Sequence, residues 1–360
     1  MIDLGTIRIS ELLRNARVRG ASDIHFGGAE RPALRIDGRL VVLDGPPISD
    51  DGITQFLRAT LTPAALARLE ERGTADGAQR PQDIGPYRIH AYRQLGGLRI
   101  VVRLLSKAVP QLAELLLPPV ISTFATRPTG LVLFTGPTGS GKTTALAGLI
   151  DRINRTSERN IVTVEDPVEY LHVPIRSLIT HCQIDRDVSD YVEALRGLMR
   201  ADPDVILVGE MRDRETMEAA LTAAETGHLV FSTLHTNDAP QTVDRIVDAF
   251  PSDAQGQIRS QLSAVLHAVV SLRLLPRKAD SGRRAAAEVL VATDAVRNLI
   301  RDGKTHQLRN AIVTGRNVGM QTLETHLSEL IMRGEVALEA AQAVSNRPSE
   351  VRAFEQRSAV

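Results

Sequence analysis

The chain has 360 residues, 43% of them hydrophobic and 24% charged, with 43 basic residues balanced by 43 acidic ones. That length allows two domains, each with its own core, and the zero net charge excludes a global basic footprint for nucleic acid. A single cysteine, Cys182, excludes an internal disulfide and a tetracysteine zinc site.

No apolar run approaches the length needed to cross a bilayer, since Leu112 to Ile121 is broken by Glu114 and the Pro118-Pro119 pair. The N-terminus has no basic region followed by an apolar core, so no export signal is expected and a cytoplasmic location is. The first hundred residues read as a small α+β unit. Ile9 to Arg17 is amphipathic, and Asp23-Ile24-His25-Phe26 is strand-like. Leu34 to Val42 alternates on both sides of Asp37-Gly38, a hairpin signal. Helical patterns follow near Ile53–Leu61 and Pro63–Glu71. Tyr87 to Arg93 and Leu98 to Leu105 alternate again, with Gly96-Gly97 as their expected turn. Residues 106–117, with Ser106, Lys107 and Pro110 at their start, read as a linker.

Beyond it comes the most informative stretch, Gly136-Pro137-Thr138-Gly139-Ser140-Gly141-Lys142-Thr143-Thr144. It fits G-x-x-x-x-G-K-[ST], preceded by the apolar run Leu131 to Phe134 and followed by a helix-forming segment. Glycines let backbone N–H groups turn toward phosphate oxygens, and the helix N-terminus adds its partial positive charge. In that pattern Lys142 reaches the β- and γ-phosphates and Thr143 holds Mg²⁺, so the stretch predicts ATP or GTP binding. A plain glycine-rich turn would need neither the spacing nor the flanks. The chain has only four lysines, Lys107, Lys142, Lys278 and Lys304, yet one falls at this point where a compact ammonium suits a phosphate.

The pattern then switches to short apolar runs separated by helices: Ile161–Val164, Val205–Val208 and Leu229–Thr233. Such runs suit a parallel sheet buried under helices. Polar groups after those runs would gather at the C-terminal strand ends. Glu165-Asp166-Pro167-Val168-Glu169 packs carboxylates into a turn, a costly arrangement unless a cation, a metal or water compensates. Asp202-Pro203-Asp204 leads into Val205–Val208 and then Gly209-Glu210-Met211-Arg212-Asp213, the Walker B pattern that sets a carboxylate beside Mg²⁺. Glu210 stands where aspartate is commoner. Gly227 to Asn237 carries His228 and His235 around a buried strand. Either histidine alone reads as a satisfied hydrogen-bonding residue. From about Ala286 to Ala343 the chain reads as largely helical, and residues 346–360 as a polar tail.

Together these marks resemble the secretion-ATPase superfamily of hexameric motors, and most closely the type IV pilus retraction ATPases of the PilT type. The acidic turn is similar to the family's Asp box and Gly227–Asn237 to its His box. Ala21–His25 and Arg35–Gly38 look like its N-terminal PAS-like domain, and Ala295 to Lys304 resembles the A-I-R-N-L-I-R-E motif of retraction motors. Val296 and Asp302 depart from that motif conservatively. The resemblance implies a PAS-like α+β domain over 1–105, the linker, and a RecA-like P-loop ATPase domain with C-terminal helices over 118–345. It implies a homo-hexamer with ATP and Mg²⁺ at subunit boundaries, and no nucleic acid or direct membrane insertion. It further implies an inner-membrane platform protein as partner and, indirectly, pilin.

By the same likeness Glu169 orients and deprotonates the attacking water, with Glu165 as the weaker candidate. Glu210 organises the metal shell and His235 couples hydrolysis to movement. Arg88 and Arg103 match the trans-acting arginine fingers, although Arg93 and Arg99 stand close enough to compete. A type IV secretion motor or an accessory pilus motor would use the same chemistry. A RecA-like nucleic-acid translocase is disfavoured by neutral charge and few aromatics.

Overall fold

The computed structural model describes residues 9–36, 38–95, 97–105, 108–278 and 282–351. The chain forms two compact units that divide between Ala108 and Val109.

The N-terminal unit comprises α1 (Ile9–Val18), β1 (Ala21–Gly27), β2 (Glu30–Ile36), β3 (Arg39–Val42), α2 (Asp50–Thr60), α3 (Pro63–Arg72), β4 (Thr74–Gln79), β5 (Tyr87–Gln94) and β6 (Gly97–Leu104). Among the described residues its strands make one antiparallel sheet in the order β3-β2-β1-β6-β5-β4. Alternation decides which face is covered. Ile24, Phe26, Ile89, Ile100 and Val102 bury themselves with Leu12, Leu13, Ile53, Leu57 and Leu69 of the helices. The intervening positions, among them Arg88, His90 and Arg103, take the other face. Ser49 caps α2 and Thr62 caps α3, each accepting a backbone N–H, and Gly73 ends α3 at φ 74°.

Ile36 pairs with Arg39 across the β2–β3 hairpin as its alternation predicts; Asp37 lies outside the described residues. The second turn differs from expectation. Gly97 already pairs with Gln94 and so belongs to β6, while Gly96 lies outside the described residues, as do Ser106 and Lys107. Strand β4 has no sequence signal, because Thr-Ala-Asp-Gly-Ala-Gln lacks large apolar residues and survives as an edge through its ladder to β5.

The second unit holds β7 (Gly130–Thr135), α4 (Lys142–Thr156), β8 (Asn160–Glu165), β9 (Leu178–Gln183), α5 (Tyr191–Leu198), β10 (Val205–Val208), α6 (Arg214–Glu225), β11 (Leu229–Leu234), α7 (Ala239–Asp248), α8 (Gln255–Val265), β12 (Leu266–Pro276) and β13 (Arg283–Val291). It ends in α9 (Asp294–Arg301), α10 (Leu308–Thr314), α11 (Leu323–Met332) and α12 (Leu338–Val344). The sheet order is β13-β12-β7-β11-β10-β8-β9, parallel except for β13. Central strands β7, β10 and β11 are buried along their whole length, as a sheet covered on both faces requires. One face packs on Met217, Leu221, Val243 and Leu262 of α6 to α8, the other on Leu146, Leu149 and Ile153 of α4.

The helical reading from Ala286 needs correction. Ala286 to Val291 belong to β13, paired antiparallel with β12 from Ala268↔Val291 to Pro276↔Arg283. Alanine favours helix locally, but small residues there let β13 close the sheet under α11, and tertiary packing overrides propensity. Helix resumes only at Asp294. The expected tail over 346–360 is anchored at its start, since Val351 is fully buried and Glu350 pairs with Arg309; residues 352–360 lie outside the described residues. Among the described residues no helix is long and apolar enough to cross a membrane.

Candidate active site

Strand β7 ends at Thr135, and the chain turns through positive φ at Gly136 (136°), Gly139 (78°) and Gly141 (94°) before α4 begins at Lys142. A Cβ on Gly136 would stand 2.4 Å from Leu272 O, whereas one on Gly139 would meet nothing within 4 Å. The loop is therefore pressed against β12 at its root and open at its tip. Lys142 is 8% exposed and donates through Nζ to Gly136 O at 2.7 Å and Pro137 O at 3.1 Å. Burial draws the Lys142 pKa down and Glu210 opposes this; Arg273 adds to the lowering, and Glu169 opposes it.

Ser140 Oγ is buried and finds no hydrogen-bond partner among the described residues. An orphaned donor, glycine backbone free to approach a ligand, and the first turn of the long helix α4 suit a phosphate chain. Thr143 lines a small cavity with Glu165, Tyr170, His172, Gly209 and Thr233, and Thr144 Oγ1 lies 3.2 Å from Tyr170 Oη. The hydroxyl and carboxylate oxygens around it are the donor type that Mg²⁺ takes.

Strands β8, β10 and β11 bring the other motifs to the same sheet edge. Glu165 closes β8 and is buried, with Asp166 exposed and Glu169 half-buried beyond it. Gly209 donates to Val164 O at 2.8 Å, and Thr233 Oγ1 donates to Gly209 O at 2.7 Å. The β8 and β11 ends are thereby stitched to the start of the Glu210 loop. Glu210 Oε1 lies 3.1 Å from His235 Nε2, and Arg212 Nε donates to Glu210 Oε2 at 2.8 Å.

Not every residue of these motifs reaches the site. Asp202 and Asp204 precede β10, about 13 Å of strand from Glu210. Asp204 instead accepts from Asn160 N at 2.7 Å. Asp213 caps α6. His228 sits at the far end of β11, with Nδ1 2.9 Å from Ala223 O, so the two histidines of the motif have different jobs.

Arg88 and Arg103 lie opposite each other on β5 and β6 of the N-terminal unit. Arg103 Nε donates to Asp23 Oδ1 at 2.9 Å; burial raises the Asp23 pKa, but bonds from Arg103 and Ser22 outweigh it and leave it low. Arg99 shares their face and pairs with Glu30, while alternation turns Arg93 to the helix side, 3.7 Å from Glu70.

Some site neighbours carried no sequence signal. Tyr191, at the start of α5, would press its hydroxyl against any side chain at position 209, and burial beside Asp166 raises its pKa. His181 accepts from His172 N at 3.2 Å through Nε2, which leaves Nδ1–H to donate to Thr163 Oγ1 at 2.9 Å. Its ring stacks on buried His172. Arg273 of β12 donates to Asn237 O and Oδ1. In α9, Val296 and Ile300 are buried, and Arg297 caps the end of α8 by bonding Ser263 O and Ala264 O.

A phosphate loop that follows inner strand β7, with acidic motifs after β8 and β10 at the same C-terminal edge of the parallel part of the sheet, defines a P-loop ATPase. The chain belongs to the type II/IV secretion system protein family, whose model matches residues 5–359. It is 40% identical over 340 residues to the type IV pilus retraction ATPase PilT of Pseudomonas aeruginosa, covering 94% of this chain and 98% of that one. It is 40% identical over 334 residues to a twitching motility protein of Neisseria gonorrhoeae, covering 93% and 89%. The crystal structure of the pilus retraction motor PilT with bound ADP superposes with a TM-score of 0.88 at 39% identity, covering 96% of this chain and 99% of that one.

Proposed function

We propose that this chain hydrolyses ATP to power retraction of a type IV pilus, and so twitching motility. One observation carries the chemistry: Lys142, Glu165 and the Glu210–His235 pair converge on one sheet edge. Likeness to PilT over nearly both whole chains supports the pilus as the load.

In this reading the 136–144 loop and Lys142 hold the phosphates of ATP, and Thr143 and Glu210 hold Mg²⁺, which when bound neutralises charge on the β- and γ-phosphates. Glu169 accepts the proton of the attacking water, with Glu165, which lines the cavity beside Thr143, as the weaker candidate. His235 passes changes at Glu210 to the loop that follows β11.

Arg88 and Arg103 act in trans on a neighbour's nucleotide within a homo-hexamer, residues 106–117 linking the PAS-like unit to the ATPase unit. Exposed apolar side chains at Leu171, Val173, Ile175 and Leu178, just beyond the acidic turn, support subunit contact there. The ring works at the cytoplasmic face of the inner membrane on a platform protein, and through it withdraws pilin. Deleting the gene and imaging surface pili tests the reading. Hyperpiliated, non-twitching cells are expected; bald cells would reassign the motor to assembly.

A further inference from the structure

Strands β12 and β11 flank β7 on opposite sides. The pairing of β12 with β7 runs out at Ser271↔Thr135, so Arg273 stands level with the phosphate loop that follows Thr135. Its guanidinium nevertheless reaches the segment after β11, donating through Nη2 to Asn237 O at 3.1 Å and Oδ1 at 3.0 Å. Through Nη1 it bonds Leu272 O, the carbonyl against which Gly136 is pressed. One side chain therefore joins β12, at the point where the root of the phosphate loop packs on it, to the His-box segment.

Arg273 is only 7% exposed. A buried guanidinium is tolerated where its charge is matched and its donors are used. Against the lowering effect of burial, Glu288, Asp238 and Glu324 act to keep it charged, and burial in turn pushes the Glu288 pKa up to about 7. Glu288 faces Ser271 across the β12–β13 ladder and accepts from Ala239 N at 2.9 Å, in the first turn of α7. An ammonium at position 273 could balance those carboxylates but could not serve Leu272 O and both oxygens of Asn237 in the guanidinium's fixed planar geometry.

We propose that Arg273 is a positioning residue: it locks the Asn237–Ala239 segment to the side of the phosphate loop and so holds His235, two residues earlier, on Glu210. This rests on the reading of that loop as the ATP site.

The test uses the full-length chain with Arg273→Lys, Asn237→Ala and their double mutant. Arg273→Lys is expected to lower kcat about tenfold with KM for ATP changed less than about threefold, because it misplaces a group without removing a phosphate ligand. Without nucleotide, amide exchange over residues 234–239 is expected to speed up about tenfold, while β12 stays protected. The double mutant is expected to be no slower than the slower single mutant. Wild-type kcat and exchange in Arg273→Lys would overturn the proposal, as would an effect confined to KM or strictly additive losses.

Should Arg273→Lys fail to fold, Arg273→Gln/Glu288→Gln takes its place, measured at pH 8, above the Glu288 pKa of about 7, where it removes one buried charge of each sign. It is expected to show the same slow turnover and fast exchange, and wild-type behaviour there overturns the proposal. A wild-type chain without ATPase activity would sink the functional reading, yet the nucleotide-free exchange measurement would still decide the role of Arg273.

Discussion

His235 Nε2 stands 3.1 Å from Glu210 Oε1, and Arg212 Nε holds the other oxygen of that carboxylate at 2.8 Å. The end of β10 is thus gripped from β11 on one side and from its own loop on the other. Replacing Glu210 with Gln keeps the shape but weakens both contacts and any bond to a metal. Turnover is expected to fall about 100-fold, with ADP affinity changed far less. His235→Ala should cost about tenfold in kcat, since it removes a partner and not a ligand. Steady-state kinetics beside ADP titration checks both; an unchanged kcat in Glu210→Gln would remove it from the metal shell.

The acidic turn offers a choice between two carboxylates. Glu165 is buried at the end of β8, whereas Glu169 is half-buried and acts electrostatically on Lys142. Glu169→Gln is expected to bind nucleotide normally and lose at least about 100-fold in single-turnover hydrolysis, the scale of a missing general base. A normal rate in Glu169→Gln with a dead Glu165→Gln would transfer the role.

Glycines of the phosphate loop are not equivalent. Gly136→Ala adds a Cβ at 2.4 Å from Leu272 O, at φ 136°. Something must shift, and a loss of stability of about 2–3 kcal/mol with loss of nucleotide binding is expected. Gly139→Ala meets no atom and carries only the left-handed backbone strain at φ 78°, about 1 kcal/mol. Chemical denaturation of both variants checks the order; equal losses would contradict the packing of β12 on Gly136.

Arginine fingers acting between subunits predict complementation. Arg103→Ala and Lys142→Ala should each be inactive alone. Mixed in equal amounts and allowed to exchange subunits, they should recover a measurable fraction of wild-type ATPase activity, because some boundaries then pair an intact finger with an intact phosphate loop. Mixtures no better than their components would place Arg103 in its own subunit's business, namely the bond to Asp23.

Acid should destabilise the ATPase unit through two histidines. Burial, with His181 adjacent, brings the His172 pKa down to about 4; burial, with Arg284 adjacent, does the same for His326. His326 Nδ1 also accepts from Ala287 N at 2.9 Å, which protonation would break. The unfolded chain binds the extra proton more readily, so each contributes stability present above about pH 6.5 and lost as pH falls toward 4. By pH 5 each should cost about 2 kcal/mol. Denaturation at pH 7.5 and pH 5 should show a smaller acid loss in His326→Gln than in the wild type. An identical loss would contradict the buried neutral ring.

The phosphate loop was legible because its chemistry is local: glycine spacing, an apolar strand before it and a helix after it occupy consecutive residues. The acidic turn, Glu210 and His235 were legible for the same reason, each following a short apolar strand. Strand β13 is not legible in the sequence, because Ala285, Ala286 and Ala287 favour helix alone and become strand only beside β12. Likewise, nothing near Asn237 in sequence points to Arg273, 36 residues later.

From the linear order of residues alone came the nucleotide loop, the kind of acid placed near it and the motor family it resembles, since those depend on contiguous backbone geometry. Only the folded sheet decided that Glu210 meets His235, that Asp202, Asp204 and His228 stand at the opposite edge, and that a buried arginine of β12 bonds the segment after β11. Those outcomes depend on strand order and direction, which set which ends of distant segments share a face, and no local preference carries that information.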